Sequence, residues 1–177
     1  GQTERAWARR TLSSSESERL MRPADGLRNV TNECATALVL ESHVCMVKRL
    51  GLDGVHLVEG ARSVRKTRKE LGRDAIIGAF CAASQHDGMN AAEAGADYVS
   101  FGPVAASGLG DGATAGAQLF SWWSEMIEVP VVAEGGLNED LVRSLCDKTD
   151  FFAFGPELWD AQDPAARLAV LIKAGAS

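Results

Sequence analysis

The sequence predicts one α/β domain over residues 1–177, a (β/α)₈ TIM barrel whose strands are all parallel. Length and composition suit a single globular domain, with 177 residues of which 46% are apolar and 24% charged. Short apolar runs recur along the chain with helical patterns between them, which is typical of βαβ units. The runs are continuously apolar rather than alternating, as expected for strands that are buried on both faces.

Six apolar runs are predicted strands: Ala37–Glu41, Gly54–Val58, Ala75–Phe80, Tyr98–Phe101, Val129–Ala133 and Phe151–Phe154. We predict a further strand over Ala6–Leu12, although it contains two arginines. This strand should run parallel to Ala37–Glu41, and a helix over about 15–33 should cross between them on the outside, because such crossovers are right-handed.

Capping residues mark the predicted helices. Ser84, Asn138 and Asp163 each precede a helical pattern, and Pro164 suits the first helical position. Gly51 should end the helix that follows the Ala37–Glu41 strand.

Seven strand–helix units are one fewer than a barrel needs, so we expect the first βα unit to lie outside this chain. An open doubly wound sheet is the alternative. That fold usually carries a G-x-G-x-x-G turn after its first strand, and none is present here.

Charge and cysteine spacing argue against several classes of protein. The net charge of −6 argues against a general nucleic-acid binder. The four cysteines form no C-x-x-C pair, which argues against a zinc cage or a thioredoxin-like site. No apolar stretch is long enough to span a membrane and no signal-peptide pattern is present, so we expect a cytoplasmic protein without a membrane partner.

In a βα barrel the active site forms at the carboxyl ends of the strands. Candidate catalytic residues at these ends are Glu41, His43, Glu59 and Cys81. Glu41, Glu59 and Glu134 could also gather near His43 or His56 around a divalent metal, or each could simply be solvated; we assign no metal ligand. We interpret His56 as a histidine satisfied inside the barrel, and an inert buried thiol is the alternative for Cys81.

Glycines after the last two strands predict a phosphate site formed by Gly135, Gly136 and Gly155. Pro156 and Glu157 argue against it, because proline donates no N–H and the glutamate repels an anion.

Several linked motifs resemble the thiamine phosphate synthase and thiazole tautomerase family. Gly51-Leu-Asp-Gly-Val-His-Leu57 is similar to that family's Gly-Ala-Asp-Gly-Val-His-Leu. The stretches Ile76–Gly78, Ala94–Pro103 and Val129–Ala133 with Gly135-Gly136 follow in the family's order and spacing. The resemblance implies a (β/α)₈ barrel and, for the synthase, the joining of a pyrimidine diphosphate to a thiazole phosphate with Mg²⁺ bound.

The resemblance fails at the residues that the synthase reaction uses. The family's Asn-Asp pair falls on Glu41-Ser42, and the last acid of its Gly-Gln-Glu-Asp motif falls on Ala61. Its Gly-x-Ser serine falls on Phe80, and no lysine occurs in the stretch 105–108 that matches its mobile loop. Mg²⁺ belongs to the family, but without these acids its presence here is doubtful.

These observations predict a divergent family member that binds a phosphorylated small molecule and has little synthase activity. The alternatives are a phosphometabolite-binding barrel without chemistry and a thiazole tautomerase-like isomerase. The sequence leaves a homo-oligomer open.

Overall fold

A computed structural model describes residues 6–8, 31, 36–110 and 112–176. Its strands form one sheet in the order β1-β7-β6-β5-β4-β3-β2, and every neighbouring pair is parallel. The strands are β1 (Ala6–Ala8), β2 (Val39–Glu41), β3 (Gly54–Leu57), β4 (Ile76–Phe80), β5 (Tyr98–Phe101), β6 (Val131–Glu134) and β7 (Phe151–Phe154). This order confirms the predicted α/β fold with a parallel sheet.

Helices alternate with the strands in the described part of the chain. They are α1 (Val44–Leu50), a 3₁₀ helix (Gly60–Ser63), α2 (Val64–Leu71), α3 (Gln85–Glu93), α4 (Ala117–Met126), α5 (Glu139–Leu145), α6 (Pro156–Trp159) and α7 (Pro164–Gly175). Among the described residues, no helix combines the length and the apolar character that crossing a bilayer requires.

The predicted capping residues act as expected. The side chains of Ser84, Asn138 and Asp163 each accept a hydrogen bond from the backbone N–H three residues later. Gly51 ends α1 in the left-handed conformation, with φ of 60°. Four strands differ from their predicted bounds by one or two residues: β2 begins at Val39, β3 ends at Leu57, β4 begins at Ile76, and β6 covers Val131–Glu134. The late start of β6 follows from Pro130, which has no N–H to contribute to the ladder.

The edge strand β1 lies beside β7, with Ala6 in register with Phe152. The predicted strand is therefore present over Ala6–Ala8 and runs in the same direction as β2, but at the opposite edge of the sheet. Residues 9–12 of that predicted strand, and nearly all of the predicted helix over 15–33, lie outside the described residues. Pairing between the first and last strands is the arrangement that closes a barrel.

The two faces of the sheet carry different clusters of side chains. One face packs against the helices and holds the larger core, in which Phe101, Phe120 and Trp123 are fully buried. The other face carries a small apolar cluster of Tyr98, Val132 and Ala153. Polar side chains share this second face, and they form the candidate site described below.

The basic stretch Arg62–Arg73 lies along the 3₁₀ helix and α2, where most of its basic side chains are exposed. Arg68 is the exception, since its guanidinium donates to the carbonyl oxygens of Ala75 and Gly95 and pairs with Asp97 at 2.5 Å. Asp97 also accepts from the N–H of Ile77, so this arginine ties α2 to the starts of β4 and β5. Its role is structural.

Candidate functional site

A row of residues crosses three strand pairs in register on the second face of the sheet. Glu41 pairs with His56, His56 with Gly78, and Gly78 with Tyr98. Register partners in a parallel sheet point to the same face. Gly78 makes the contact between its neighbours possible, because a Cβ there would lie 2.0 Å from Cζ of Tyr98.

Four polar side chains meet on this face, and we call His56, Tyr98, Ser100 and Glu134 the inner polar cluster. The hydroxyl of Tyr98 lies 2.8 Å from Nδ1 of His56, and the two rings stack. Ser100 Oγ donates to Oε1 of Glu134 over 2.6 Å, and Nε2 of His56 lies 3.9 Å from the same oxygen. All four residues are buried, with only 3% of Glu134 and 8% of His56 exposed.

The structure corrects the interpretation of Glu134 as a solvated strand-end residue. Its carboxylate turns inward instead, because it lies on the same face as Ser100, whose hydroxyl binds it. The predicted inward position of His56 is confirmed. The sequence analysis assigned no role to Tyr98 or Ser100, although the period of two along β5 places both on one face.

Two of the predicted catalytic residues lie together at the end of β2. Glu41 is the last residue of this strand, and His43 immediately precedes α1. Nδ1 of His43 donates to the carbonyl oxygen of Glu41 at 2.7 Å. The hydrogen bond holds the imidazole with its proton on Nδ1, so that Nε2 is the nitrogen able to accept a proton.

The other two predicted catalytic residues line one cavity. It has a volume of about 690 Å³ and lies between the 3₁₀ helix and α3. Glu59 is exposed at its rim and accepts a hydrogen bond from Ser63 at 3.3 Å. Cys81 is buried, directly after β4.

The thiol of Cys81 is held in its protonated form. Burial, together with the charges of Asp87 and Glu134, raises the pKa of this thiol to about 12. Its hydrogen bond is made as a donor to the carbonyl oxygen of Ala79. A protonated thiol is a poor nucleophile, so the structure favours an inert cysteine. A catalytic role for Cys81 stays an untested prediction.

The predicted phosphate site lies at the carboxyl ends of β6 and β7, and we call Gly135, Gly136 and Gly155 the glycine cradle. Gly135 and Gly136 have φ of 81° and 75°, a conformation that favours glycine. They pack against the loop after β5: a Cβ on Gly136 would lie 3.0 Å from the carbonyl oxygen of Ala105. The loop after β5 therefore leaves no room for a side chain at Gly136.

Glu157 lies beside the cradle. A Cβ built on Gly155 would be 3.5 Å from Oε2 of Glu157. Oε1 of the same carboxylate is buried and has no hydrogen-bond partner among the described residues. Glu157, whose negative charge argues against phosphate binding, is therefore close to the predicted phosphate site.

The side chains that the structure describes do not fit a divalent metal site. Over residues 36–110 and 112–176, no three His, Cys, Asp or Glu side chains lie close enough together to hold a metal ion. The two positions where the resemblance expects acids carry Ser42, which is exposed, and Ala61. The predicted residues instead fall into separate groups: Glu41 with His43, Glu59 with Cys81, and the three glycines.

Comparisons with known proteins bear on the family of this chain. A family model described as thiamine monophosphate synthase matches residues 9–153. The chain is 37% identical to the thiamine-phosphate synthase of Erythrobacter litoralis over 88% of its own length and 73% of that protein. It is 35% identical to the corresponding protein of Rhodospirillum centenum, over 89% of this chain and 78% of the relative.

The chain belongs to the thiamine-phosphate synthase family. Among solved structures, it resembles the thiamine phosphate pyrophosphorylase of Pyrococcus furiosus, with a TM-score of 0.82 over 99% of this chain and 84% of that one. At 24% identity this likeness shows the fold alone. The family resemblance read from the motifs is thereby confirmed, and the sheet is part of a TIM-like fold.

Proposed function

We propose that this family member binds a phosphorylated thiamine precursor at the glycine cradle without joining it efficiently to a pyrimidine diphosphate. One observation carries the proposal: the glycines of the cradle are present, whereas the two acids that the family has are replaced. Gly135 and Gly136 have a backbone conformation that favours glycine, whereas Ser42 and Ala61 stand where two acids are expected.

The complete barrel in this proposal has eight strands. Support comes from β1, which pairs with the last strand β7 rather than with β2. In a closed barrel the first strand is the one that neighbours the last. The pairing therefore favours β1 as the first strand of the barrel over the expectation that the first βα unit is missing.

In this proposal, backbone and side-chain groups of the protein bind the ligand. Phosphate oxygens would accept hydrogen bonds from backbone N–H groups at the ends of β6 and β7, where the missing Cβ atoms allow close approach. Glu41 with His43, and Glu59, lie at the ends of β2 and β3 and would face the remainder of the ligand. The cytoplasmic location also remains part of the proposal.

We expect little or no thiamine phosphate from this protein when it is supplied with pyrimidine diphosphate, thiazole phosphate and Mg²⁺. Departure of diphosphate requires stabilisation of the growing negative charge, and each lost stabilising group typically costs about 10²–10³-fold. The measurement is product formation followed by chromatography, with the Erythrobacter litoralis relative assayed alongside.

Turnover near the ordinary enzyme range of roughly 1 s⁻¹ or above would contradict the proposed loss of activity. Glu41→Gln and Glu59→Gln would then identify substitute ligands, since either change should remove that turnover. Binding of thiazole phosphate without turnover supports the proposal.

A second candidate is a thiazole tautomerase-like isomerase, and the inner polar cluster favours it. An isomerase of this kind moves a proton and needs an acid and a base rather than diphosphate stabilisation. His56 and Glu134 are buried, with Nε2 of His56 3.9 Å from Oε1 of Glu134.

We expect such an enzyme to speed deuterium exchange from D₂O into bound thiazole phosphate, measured by mass spectrometry. His56→Asn should remove this acceleration. Exchange at the buffer rate excludes this candidate.

A further inference from the structure

The cavity between the 3₁₀ helix and α3 carries charges of both signs and lies apart from the glycine cradle. Its volume is about 690 Å³, and none of the three cradle glycines lines it. Clefts of about 300–1,000 Å³ are the size that small molecules occupy in proteins. The cavity is therefore large enough for a ligand of its own.

One wall of the cavity is basic. Arg62 and Arg65 line it from the 3₁₀ helix and α2, and both are exposed. Residues three apart on a helix lie on the same side, so the two arginines form one basic wall. Neither guanidinium forms an ion pair or a hydrogen bond with any described residue.

The other wall is acidic and comes from α3. Asp87, Asn90 and Glu93 line the cavity and follow one another at three-residue spacing along one side of this helix. The carboxylates of Asp87 and Glu93 likewise form no ion pair or hydrogen bond with a described residue. Both walls therefore present charges that other side chains of the described chain do not neutralise by contact.

The two walls approach closely although their charges do not pair. A Cβ on Gly60, at the start of the 3₁₀ helix, would lie 3.9 Å from Cβ of Asp87. The charged ends of the side chains nevertheless form no ion pair across the cavity. A ligand that places an anion at the arginines and a cation at the acids would satisfy both walls at once.

Most of the remaining lining is apolar, and part of its backbone is strained. Phe80 and Cys81 are buried and line the cavity together with Ala82. Ala82 has φ of 47°, in the left-handed region that residues with a side chain rarely adopt. Strain of this kind tends to occur at ligand-binding sites. An apolar lining also suits the carbon chain that joins the two charged ends of a small molecule.

We propose that this cavity binds a small zwitterion of the amino-acid type, with its carboxylate at Arg62 and Arg65 and its ammonium at Asp87 and Glu93. A guanidinium group matches the geometry of a carboxylate and donates two parallel hydrogen bonds to it. A carboxylate suits the cavity better than a doubly charged phosphate, because Glu59 adds a third acid to the lining. This site goes beyond the proposed function, since it shares no residue with the glycine cradle.

The test titrates the ¹⁵N-labelled protein with three amino acids of different chain length, β-alanine, 4-aminobutanoate and 6-aminohexanoate, and follows amide chemical shifts. Each amino acid is compared with the fatty acid and the alkylamine of the same chain length, which carry only one of the two charges. We expect at least one amino acid to bind about 10-fold or more tightly than either analogue, the size of effect typical of a hydrogen bond to a charged group. The shifts should centre on amides of the 3₁₀ helix and α3.

Variants of each wall should remove one end of the interaction. In the double variant Arg62→Gln/Arg65→Gln, the preferred amino acid should bind no better than the alkylamine, whose own affinity is retained. In Asp87→Asn/Glu93→Gln it should bind no better than the fatty acid, whose own affinity is retained. Because one analogue continues to bind in each variant, the loss cannot result from misfolding.

Two control variants remove exposed charges outside the cavity. Arg73→Gln and Glu125→Gln should leave every affinity unchanged. The inference is overturned if no amino acid is preferred over its analogues, if the preference survives in either double variant, or if the shifts lie only outside the cavity. Each of these outcomes leaves the proposed phosphate site standing.

Discussion

Replacing Gly136 by aspartate is expected to abolish the binding of phosphate esters. The new side chain adds bulk where a Cβ would already lie 3.0 Å from the carbonyl oxygen of Ala105. It also places a negative charge beside the phosphate. Two unit charges about 4 Å apart repel by about 4 kcal/mol at an effective dielectric constant of 20. We therefore expect the affinity for thiazole phosphate, measured by calorimetry, to fall by about 100-fold or more.

Two control variants separate the causes of this loss. Gly136→Asn has nearly the same shape without the charge, so it should bind more tightly than Gly136→Asp. Gly51→Asp introduces the same residue at another left-handed position, the end of α1, and should leave binding intact. Unchanged affinity in Gly136→Asp would remove the glycine cradle from consideration, and a phosphate bound instead along Arg62–Arg73 would point to that basic surface.

Gly54→Ala is expected to cause the largest loss of stability. Gly54 begins β3 and pairs with Val39 on one side and Ile76 on the other. A Cβ there would lie 1.9 Å from the backbone oxygen of Ile76. Because backbone cannot turn aside as a flexible side chain can, the strands must separate. We expect the free energy of unfolding to fall by about 3 kcal/mol, measured by urea denaturation.

Gly108→Ala is the matched control for that measurement. Gly108 is exposed in the loop after β5, and a Cβ there has nothing within 4 Å. Its free energy of unfolding should change by less than about 0.5 kcal/mol. A loss in Gly54→Ala no greater than that of the control would mean that β3 and β4 are more widely spaced than described.

The sequence predicted the sheet well because burial and capping are local signals. Phe151–Phe154 and Tyr98–Phe101 are apolar throughout and were placed with their observed bounds. Asn138 and Asp163 mark the starts of helices, because the side chain of each accepts a hydrogen bond from a backbone N–H only three residues later. The neighbour of β1 was not predictable in this way, since β7 lies far away along the chain.

The candidate site was predicted less completely, because its contacts cross strands. Nothing local to Glu134 indicates that Ser100 would bind it, and nothing local to His56 indicates that Tyr98 would reach it over Gly78. The reactivity of Cys81 also depends on burial and on the charge of Asp87, which the sequence does not reveal.

The pairing of β1 with β7 has a consequence for how the chain folds. A contact between residues that are distant in sequence closes a long loop. The entropy cost of closing that loop slows folding. During synthesis, Ala6 leaves the ribosome long before Phe152, its partner in register. The edge of β1 that pairs with β7 therefore stays without this partner until Phe152 has been translated. Shielding that edge by chaperones in the meantime would limit its association with other nascent chains.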